Sequence, residues 1–199
     1  MINQKRAPLF LKAKQDMDES ENWTLAQTLF GISTYYRRED DDSLSIKMEG
    51  ELRGLPLFEQ VAVLREIDLH SNWAPFVTSS LTLAQFDKLD TVGWMMVGLP
   101  NFGIARDGCF RCIGCDCTKE DNSVIIYGQG VQDRPEGVPP KKGTEFLVED
   151  PLLDTVDIPP VPTRIGSGRL TIRNFEARIA ILSPDHCRTY VLANINPNL

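Results

Sequence analysis

The feature that most constrains this chain is a change of hydrophobic period. Leu57, Phe58, Val61, Leu64, Ile67 and Leu69 recur mostly at three- and four-residue steps behind Pro56. That pattern specifies an amphipathic helix opened by a proline, ending near Ser71-Asn72. On either side the period is two. Leu44, Ile46 and Met48 alternate with polar residues, and residues 23–36 are rich in threonine and aromatics. These two runs, joined by the charged stretch 37–42, read as strands of a hairpin or meander. Residues 83–90 read as a further helical turn. From Thr91 the strand pattern returns, with candidates at 91–98, 106–117, 122–132, 143–149, 166–182 and 186–195. Turn chemistry separates them at Leu99-Pro100-Asn101, Glu120-Asp121-Asn122, Pro135-Glu136-Gly137 and Pro139-Pro140. Strands, helices and then a long run of strands exclude alternating βαβ units and specify an α+β fold with an antiparallel sheet.

Composition narrows the class. A chain of 199 residues with 42% hydrophobic side chains buries roughly 70% of its unfolded surface, so it needs neither disulfide nor metal to fold. Its formal net charge of −7 repels the nucleic-acid backbone. No apolar run approaches the ~18 residues of a membrane span, and the expectation is a soluble cytoplasmic protein, peripheral to membranes. The basic start (Lys5, Arg6, Lys12, Lys14) could meet an anionic membrane. Leu9, Phe10, Ala13 and Met17 give residues 1–22 the spacing of a short amphipathic helix ahead of a single domain over 23–199.

Four of the five cysteines, Cys109, Cys112, Cys115 and Cys117, fall within nine residues. Structural zinc sites pair two short knuckles across a loop. One extended strand would instead place 109, 115 and 117 on one face and Cys112 on the other, which cannot wrap one ion. The cysteines therefore read as small strand residues, with no metal or cofactor expected. In 169–182 one parity is Arg169, Thr171, Arg173, Phe175, Ala177, Ile179 and Ile181, which becomes steadily apolar. Gly108, Phe110, Cys112 and Gly114 form a face of aromatic, thiol and absent side chains. Such a face either lines a ligand cavity or belongs to a filled core.

The segment Leu57-Phe58-Glu59-Gln60-Val61-Ala62-Val63-Leu64-Arg65-Glu66-Ile67-Asp68-Leu69-His70-Ser71-Asn72-Trp73-Ala74-Pro75-Phe76 resembles the helix of a START domain, the steroidogenic-acute-regulatory-related lipid-transfer family. Pro100 followed by Arg106-Asp107, Cys115-Asp116-Cys117 followed by Glu120-Asp121 and Val124-Ile125-Ile126, and Arg169-Leu170-Thr171-Ile172 before a hairpin ending Ala193-Asn194-Ile195-Asn196-Pro197 resemble the same family, in order, over residues 23–199. The resemblance implies a helix-grip fold: a curved antiparallel sheet with helices on one side and a tunnel for one sterol, phospholipid or other acyl lipid. It implies transport or sensing of that lipid at membranes, not catalysis. It also implies a C-terminal lid helix, for which nothing follows Asn196-Pro197-Asn198-Leu199; an uncovered tunnel wall is expected to favour self-association.

On that resemblance the expected lipid contacts are Met96, Phe110, Cys112, Phe175, Ala177 and Ile179, with His70 at the polar end. Cys112 stands where sterol carriers hold an arginine. His70 stands where phosphocholine binders hold a cation, and it equally suits a helix end where its ring satisfies a carbonyl. Arg106 and Asp107 read as a structural ion pair, and Trp73 and Trp94 as core. The proline-rich loop 150–163 is the expected gate, through Val156, Ile158 and Val161. The alternatives are a lipid-sensing regulatory module of a larger protein and a cavity enzyme using Cys112 and His70.

Overall fold

The structure, a computed structural model, describes residues 6–41, 43–74, 76–99, 104–131, 145–147, 156–159, 161–162 and 168–196. In chain order the elements are α1 (Ala7–Asp18), β1 (Thr24–Leu29), β2 (Ile32–Arg38), β3 (Leu44–Arg53), α2 (Leu57–Arg65), α3 (His70–Trp73), β4 (Val77–Asp87), β5 (Asp90–Leu99), β6 (Ile104–Cys117), α4 (Thr118–Asp121), β7 (Ser123–Gly130), β8 (Glu145–Leu147), β9 (Val156–Ile158), β10 (Gly168–Arg169), β11 (Thr171–Ser183) and β12 (His186–Asn196). A single 3₁₀ turn, Ile67–Leu69, joins α2 to α3.

Nine strands form one antiparallel path in the order β1-β2-β3-β12-β11-β7-β6-β5-β4, and β10 adds to β6 in parallel. The chain thus starts at one edge, runs inward to β3, crosses by the helices to the other edge at β4, and returns to close β11 and β12 against β3. The crossing is what the period change at residue 57 encodes.

Because the pairings over the sheet centre are in unbroken register, opposed residues share a face and every second residue changes face. One face carries α1. Leu9, Phe10, Ala13 and Met17, the four positions picked out by spacing, are buried there against Ile113, Cys115, Ile125, Tyr127 and Leu192. Each large side chain so buried contributes about 1.5–3 kcal/mol. The opposite face carries α2 and the 3₁₀ turn. A Cβ placed on Gly93 would fall 2.7 Å from the Ile67 side chain and 3.0 Å from Phe110. The Thr189 hydroxyl donates to Gln60 Oε1 of α2 at 3.3 Å. Helices on one side therefore describes residues 57–73, and α1 adds a second helical layer across the sheet.

Three local expectations change. Residues 83–90 are not helical: β4 runs to Asp87 and turns directly into β5, since long-range pairing with β5, carried past register shifts at Thr82/Ala84 and Gln85/Asp87, outweighs local propensity. The run 23–36 is two strands, broken at Phe30-Gly31 where both residues have positive φ. The parity of β11 slips at Arg173, where pairing to β12 jumps from Ile172 to Asn174. This bulge puts Ile172, not Thr171, on the face of Phe175. Gly108 and Gly130 make room for it: a Cβ on Gly108 would sit 2.9 Å from Ile172 Cδ1, and one on Gly130 would sit 2.4 Å from the Ile172 carbonyl oxygen. Most of 150–163, with Pro100 and Pro197, lies outside the described residues. The part of that loop that is described includes β9, paired with β8.

Candidate functional site: an apolar wall on the α2 face

Cross-strand register assembles the α2 face row by row. One row is Thr91, Cys112, Gly128, Phe175, Ala193, Ile46 and Tyr36. The next is Gly114, Ile126, Ala177, Val191, Met48 and Thr34. A third is Asp116, Val124, Ile179, Thr189, Gly50 and Ile32, over which Gln60 of α2 lies. Seven strands thus present aliphatic side chains, one thiol, two aromatics, three threonines and three glycines. The only carboxylate in the three rows is Asp116, at the rim.

Burial grades across the wall. Phe110, Val124, Ala177 and Ile179 are buried, whereas Cys112, Ile126, Phe175, Val191, Ala193 and Ile46 are half-buried and Met48 and Tyr36 exposed. Ile67 of the 3₁₀ turn and Phe110 meet over Gly93, and Gln60 of α2 lies over Thr189, while the second group is left partly open. Gly128 sets the depth at the centre: a Cβ there would meet Cys112 Sγ at 2.8 Å and Phe175 Cβ at 3.4 Å. Two cavities of about 460 Å³ lie elsewhere, one polar and lined by Lys12, Asp16, Arg37, Arg173 and Asn194 among others, one lined by Cys109, Gln129, Arg169 and Ile172 among others.

The charged chemistry sits on the α1 face. Asp90 accepts a bidentate pair from Arg111 at 2.7 and 2.9 Å and a third contact from Arg6 at 2.8 Å. Burial alone would raise the Asp90 carboxyl, but the two guanidinium groups outweigh it and hold it below its ordinary value. Asp107, also buried, accepts from Trp94 Nε1 at 2.8 Å and from Arg169 at 3.0 Å. Its salt-bridge partner is therefore Arg169 and not Arg106, because neighbours on a strand face opposite ways. Arg106 Nη1 instead donates to the Ala105 carbonyl at 2.9 Å. Glu176 is 0% exposed; Asn174 donates to one oxygen at 2.7 Å, and the other has no donor.

Of the expected lipid contacts, Phe110, Cys112, Phe175, Ala177 and Ile179 come together on the α2 face. Met96 does not: it pairs opposite Asp107 and is buried on the α1 face with Val92, Trp94 and Cys109. Ile158 and Val161 pack into that same cluster, with Ile158 0% exposed. A side chain so enclosed anchors its segment and does not swing over the opposite face; the Val156 side chain lies outside the described residues. His70 Nε2 faces the Val63 carbonyl at 3.1 Å, and its ring meets Trp73 edge-on at 5.2 Å. Trp94 is core, whereas Trp73 is 53% exposed.

The four clustered cysteines follow strand parity, with Cys109, Cys115 and Cys117 on the α1 face and Cys112 on the α2 face, the face that β12 register also gives to the buried Cys187. Cys115 and Cys117 approach to 3.2 Å between sulfurs. Burial first, then Cys117, Glu120 and Asp116, push the Cys115 thiol up to about 12. That environment suppresses the thiolate, the reactive form.

The contribution of Ile46, Met48, Val191, Ala193 and Gly128 is not visible in 169–182 alone. Alternation of Leu44, Ile46 and Met48 is a signal, but only the pairing of β3 with β12 shows that their face continues the wall.

The architecture is that of the START helix-grip fold, a large open antiparallel sheet with few helices. Human STARD10 superposes with a TM-score of 0.71 at 17% identity, over 97% of this chain and 68% of that one. Human StAR-related lipid transfer protein 5 gives 0.64 at 15% identity, over 96% and 81%. The human StarD13 lipid transfer and protein localization domain gives 0.57 at 12% identity, over 100% and 85%. By sequence, no family model and no curated protein matches the chain. The chain thus shares the fold of START domains at an identity too low to carry their ligands across.

Proposed function

We propose that the α2 face holds one lipid, a sterol, phospholipid or other acyl lipid, and that the protein carries or senses it at membranes, working peripherally from the cytoplasm. The observation that carries the reading is the half-buried row from Cys112 through Phe175 and Ala193 to Ile46, a largely apolar wall facing away from the buried carboxylates Asp90, Asp107 and Glu176. Removing a lipid's apolar surface from water against such a wall contributes about 25 cal/mol per Å². Thr91 and Thr34 are the polar side chains of these rows placed to orient a headgroup or hydroxyl, since Thr189 and Gln60 bond to each other and Gln60 to the Leu55 carbonyl. A buried polar group left unpaired costs about 1–3 kcal/mol, enough to select among lipids.

The reading is non-catalytic. His70 spends its Nε2 on the Val63 carbonyl, which suits a helix-end role better than a Cys112–His70 dyad. Uncovered, the same wall favours self-association, which sedimentation would detect as a mass above one chain. The functional test is native mass spectrometry of the purified protein followed by solvent extraction. A stoichiometric lipid adduct supports the reading. An adduct-free protein that also takes up no lipid from mixed vesicles overturns it.

A further inference from the structure

Residues 23–36, Trp-Thr-Leu-Ala-Gln-Thr-Leu-Phe-Gly-Ile-Ser-Thr-Tyr-Tyr, contain no charged side chain in a chain that is 25% charged. They form β1, its turn and most of β2, at one edge of the sheet. Every residue of β1 is exposed. At the turn Leu29 is 55% exposed and Phe30 is 92% exposed. Phe30 has φ 52° and Gly31 φ 79°. Positive φ at both central residues matches the twist of a two-residue hairpin, and glycine, asparagine or aspartate meet that demand with little strain. Phenylalanine does not. The tip therefore presents a bulky aromatic that strains its own backbone and gains almost no packing within the chain. Such an outlier points to a role outside the fold.

The surroundings specify the partner. Ile32 pairs with Gly50 of β3, and β3 continues from there to Arg53 beside the start of β12. There Arg53, Arg188 and His186 converge on one carboxylate, Glu51, at 3.2, 3.5 and 3.0 Å. Both guanidinium side chains remain more than half exposed, and a single carboxylate cannot use all their donors. Of the other acids nearby, Asp185 accepts from the Ser183 hydroxyl, and Glu49, two residues before Glu51 on β3, accepts from the Tyr35 hydroxyl at 3.2 Å. Phe58, 81% exposed, opens α2 at the same end of the sheet.

We propose that this end of the sheet docks on a phospholipid bilayer, with Leu29 and Phe30 inserted below the headgroups and Arg53 and Arg188 at the phosphates. Apolar insertion beside guanidinium–phosphate contacts is how peripheral proteins hold a membrane surface. The inference deepens the lipid-carrying reading and rests on it, since a carrier must meet a bilayer to load. The rival occupant is a second copy adding to the exposed β1 edge. Against it, the register shift between Leu25 and Gln27 interrupts that edge, and edge pairing has no use for Phe30.

The test is co-sedimentation of the full chain with sucrose-loaded vesicles of phosphatidylcholine, with and without one-fifth phosphatidylserine. Phe30→Gly supplies the residue that the turn prefers and removes the anchor. It is expected to weaken partitioning about tenfold while leaving the urea midpoint unchanged or higher; Phe30→Leu should keep most of the binding. Arg53→Gln with Arg188→Gln should lose the gain given by phosphatidylserine. Wild-type partitioning of Phe30→Gly overturns the proposal. So does loss of a dimer on Phe30→Gly with vesicle binding intact, which would assign the hairpin to self-association. Lipid occupancy by native mass spectrometry on the same samples separates the two readings: occupied protein whose Phe30→Gly form binds vesicles normally defeats only the docking surface, and protein never occupied defeats the carrier.

Discussion

Glu176 should make this fold less stable as pH rises from about 4.5 to about 7, in a window set by one carboxyl. It lies on β11 beneath α1, fully buried, between Asn174 on its own strand and Asp16 and Lys12 on the helix. Burial is the main cause that lifts its pKa from 4.5 to about 7; Asp16 adds to the rise, while the Asn174 hydrogen bond and Lys12 oppose it. In the folded protein the carboxyl therefore keeps its proton where the unfolded chain has lost it. Below pH 4.5 both states are protonated and the group has no effect on stability. As pH rises to about 7 the unfolded state gains, and above that the penalty is constant. The rise converts to on the order of 3 kcal/mol. Glu176→Gln keeps the shape, still accepts from Asn174, and offers Asp16 a donor in place of the orphaned oxygen. Urea unfolding should find the variant more stable by about 3 kcal/mol above pH 8, with the difference vanishing near pH 4.5. A difference independent of pH, or a variant less stable at pH 8, would refute the argument.

Three further outcomes follow from the geometry. Ala193→Trp places an indole on the half-open wall and should cut lipid occupancy at least about tenfold with little change in Tm, read by native mass spectrometry and thermal melting together. Asp107→Ala strands Trp94 Nε1 and the Arg169 guanidinium and should cost about 3 kcal/mol in urea unfolding; a loss below about 0.5 kcal/mol would show that the pair is dispensable. Ile158→Asp buries a carboxylate beside Trp94 and Met96 and should destabilise the protein by more than about 4 kcal/mol. A stable variant with altered lipid release would restore the gating role that burial argues against.

Period and parity carry far in this chain. The helix opening at Leu57, the alternating strand at 44–52, the four buried positions of α1 and the split of the four clustered cysteines between two faces follow from spacing of 3.6 or 2, because each reports a single local surface; the break at Glu66, where a 3₁₀ turn replaces the helix expected to run on to Ser71-Asn72, does not. What spacing cannot show is which strand pairs with which. Met96 has the right chemistry for a lipid contact, but only its position opposite Asp107 reveals that it faces α1. Ile46 and Ala193 become one wall only because β3 and β12, some 150 residues apart in the chain, are neighbours. The bulge at Arg173 defeats parity outright, since one extra residue turns every side chain before it to the other face. Ile158 reads as a lid from its proline-rich setting, yet its burial comes from a cluster assembled by three distant segments. Asp107 and Arg169 likewise meet only through the parallel pairing of β10 with β6.

The central claim is that lipid lies against the α2 face. Photo-cross-linking with a lipid bearing a diazirine in its acyl chain, followed by peptide mapping, tests it most directly. The account predicts labelling on β6 at Cys112, β11 at Phe175, β12 at Val191 and Ala193, and β3 at Ile46. Labelling confined to Met17, Trp94, Met96 and Tyr190, on the α1 face, would contradict it.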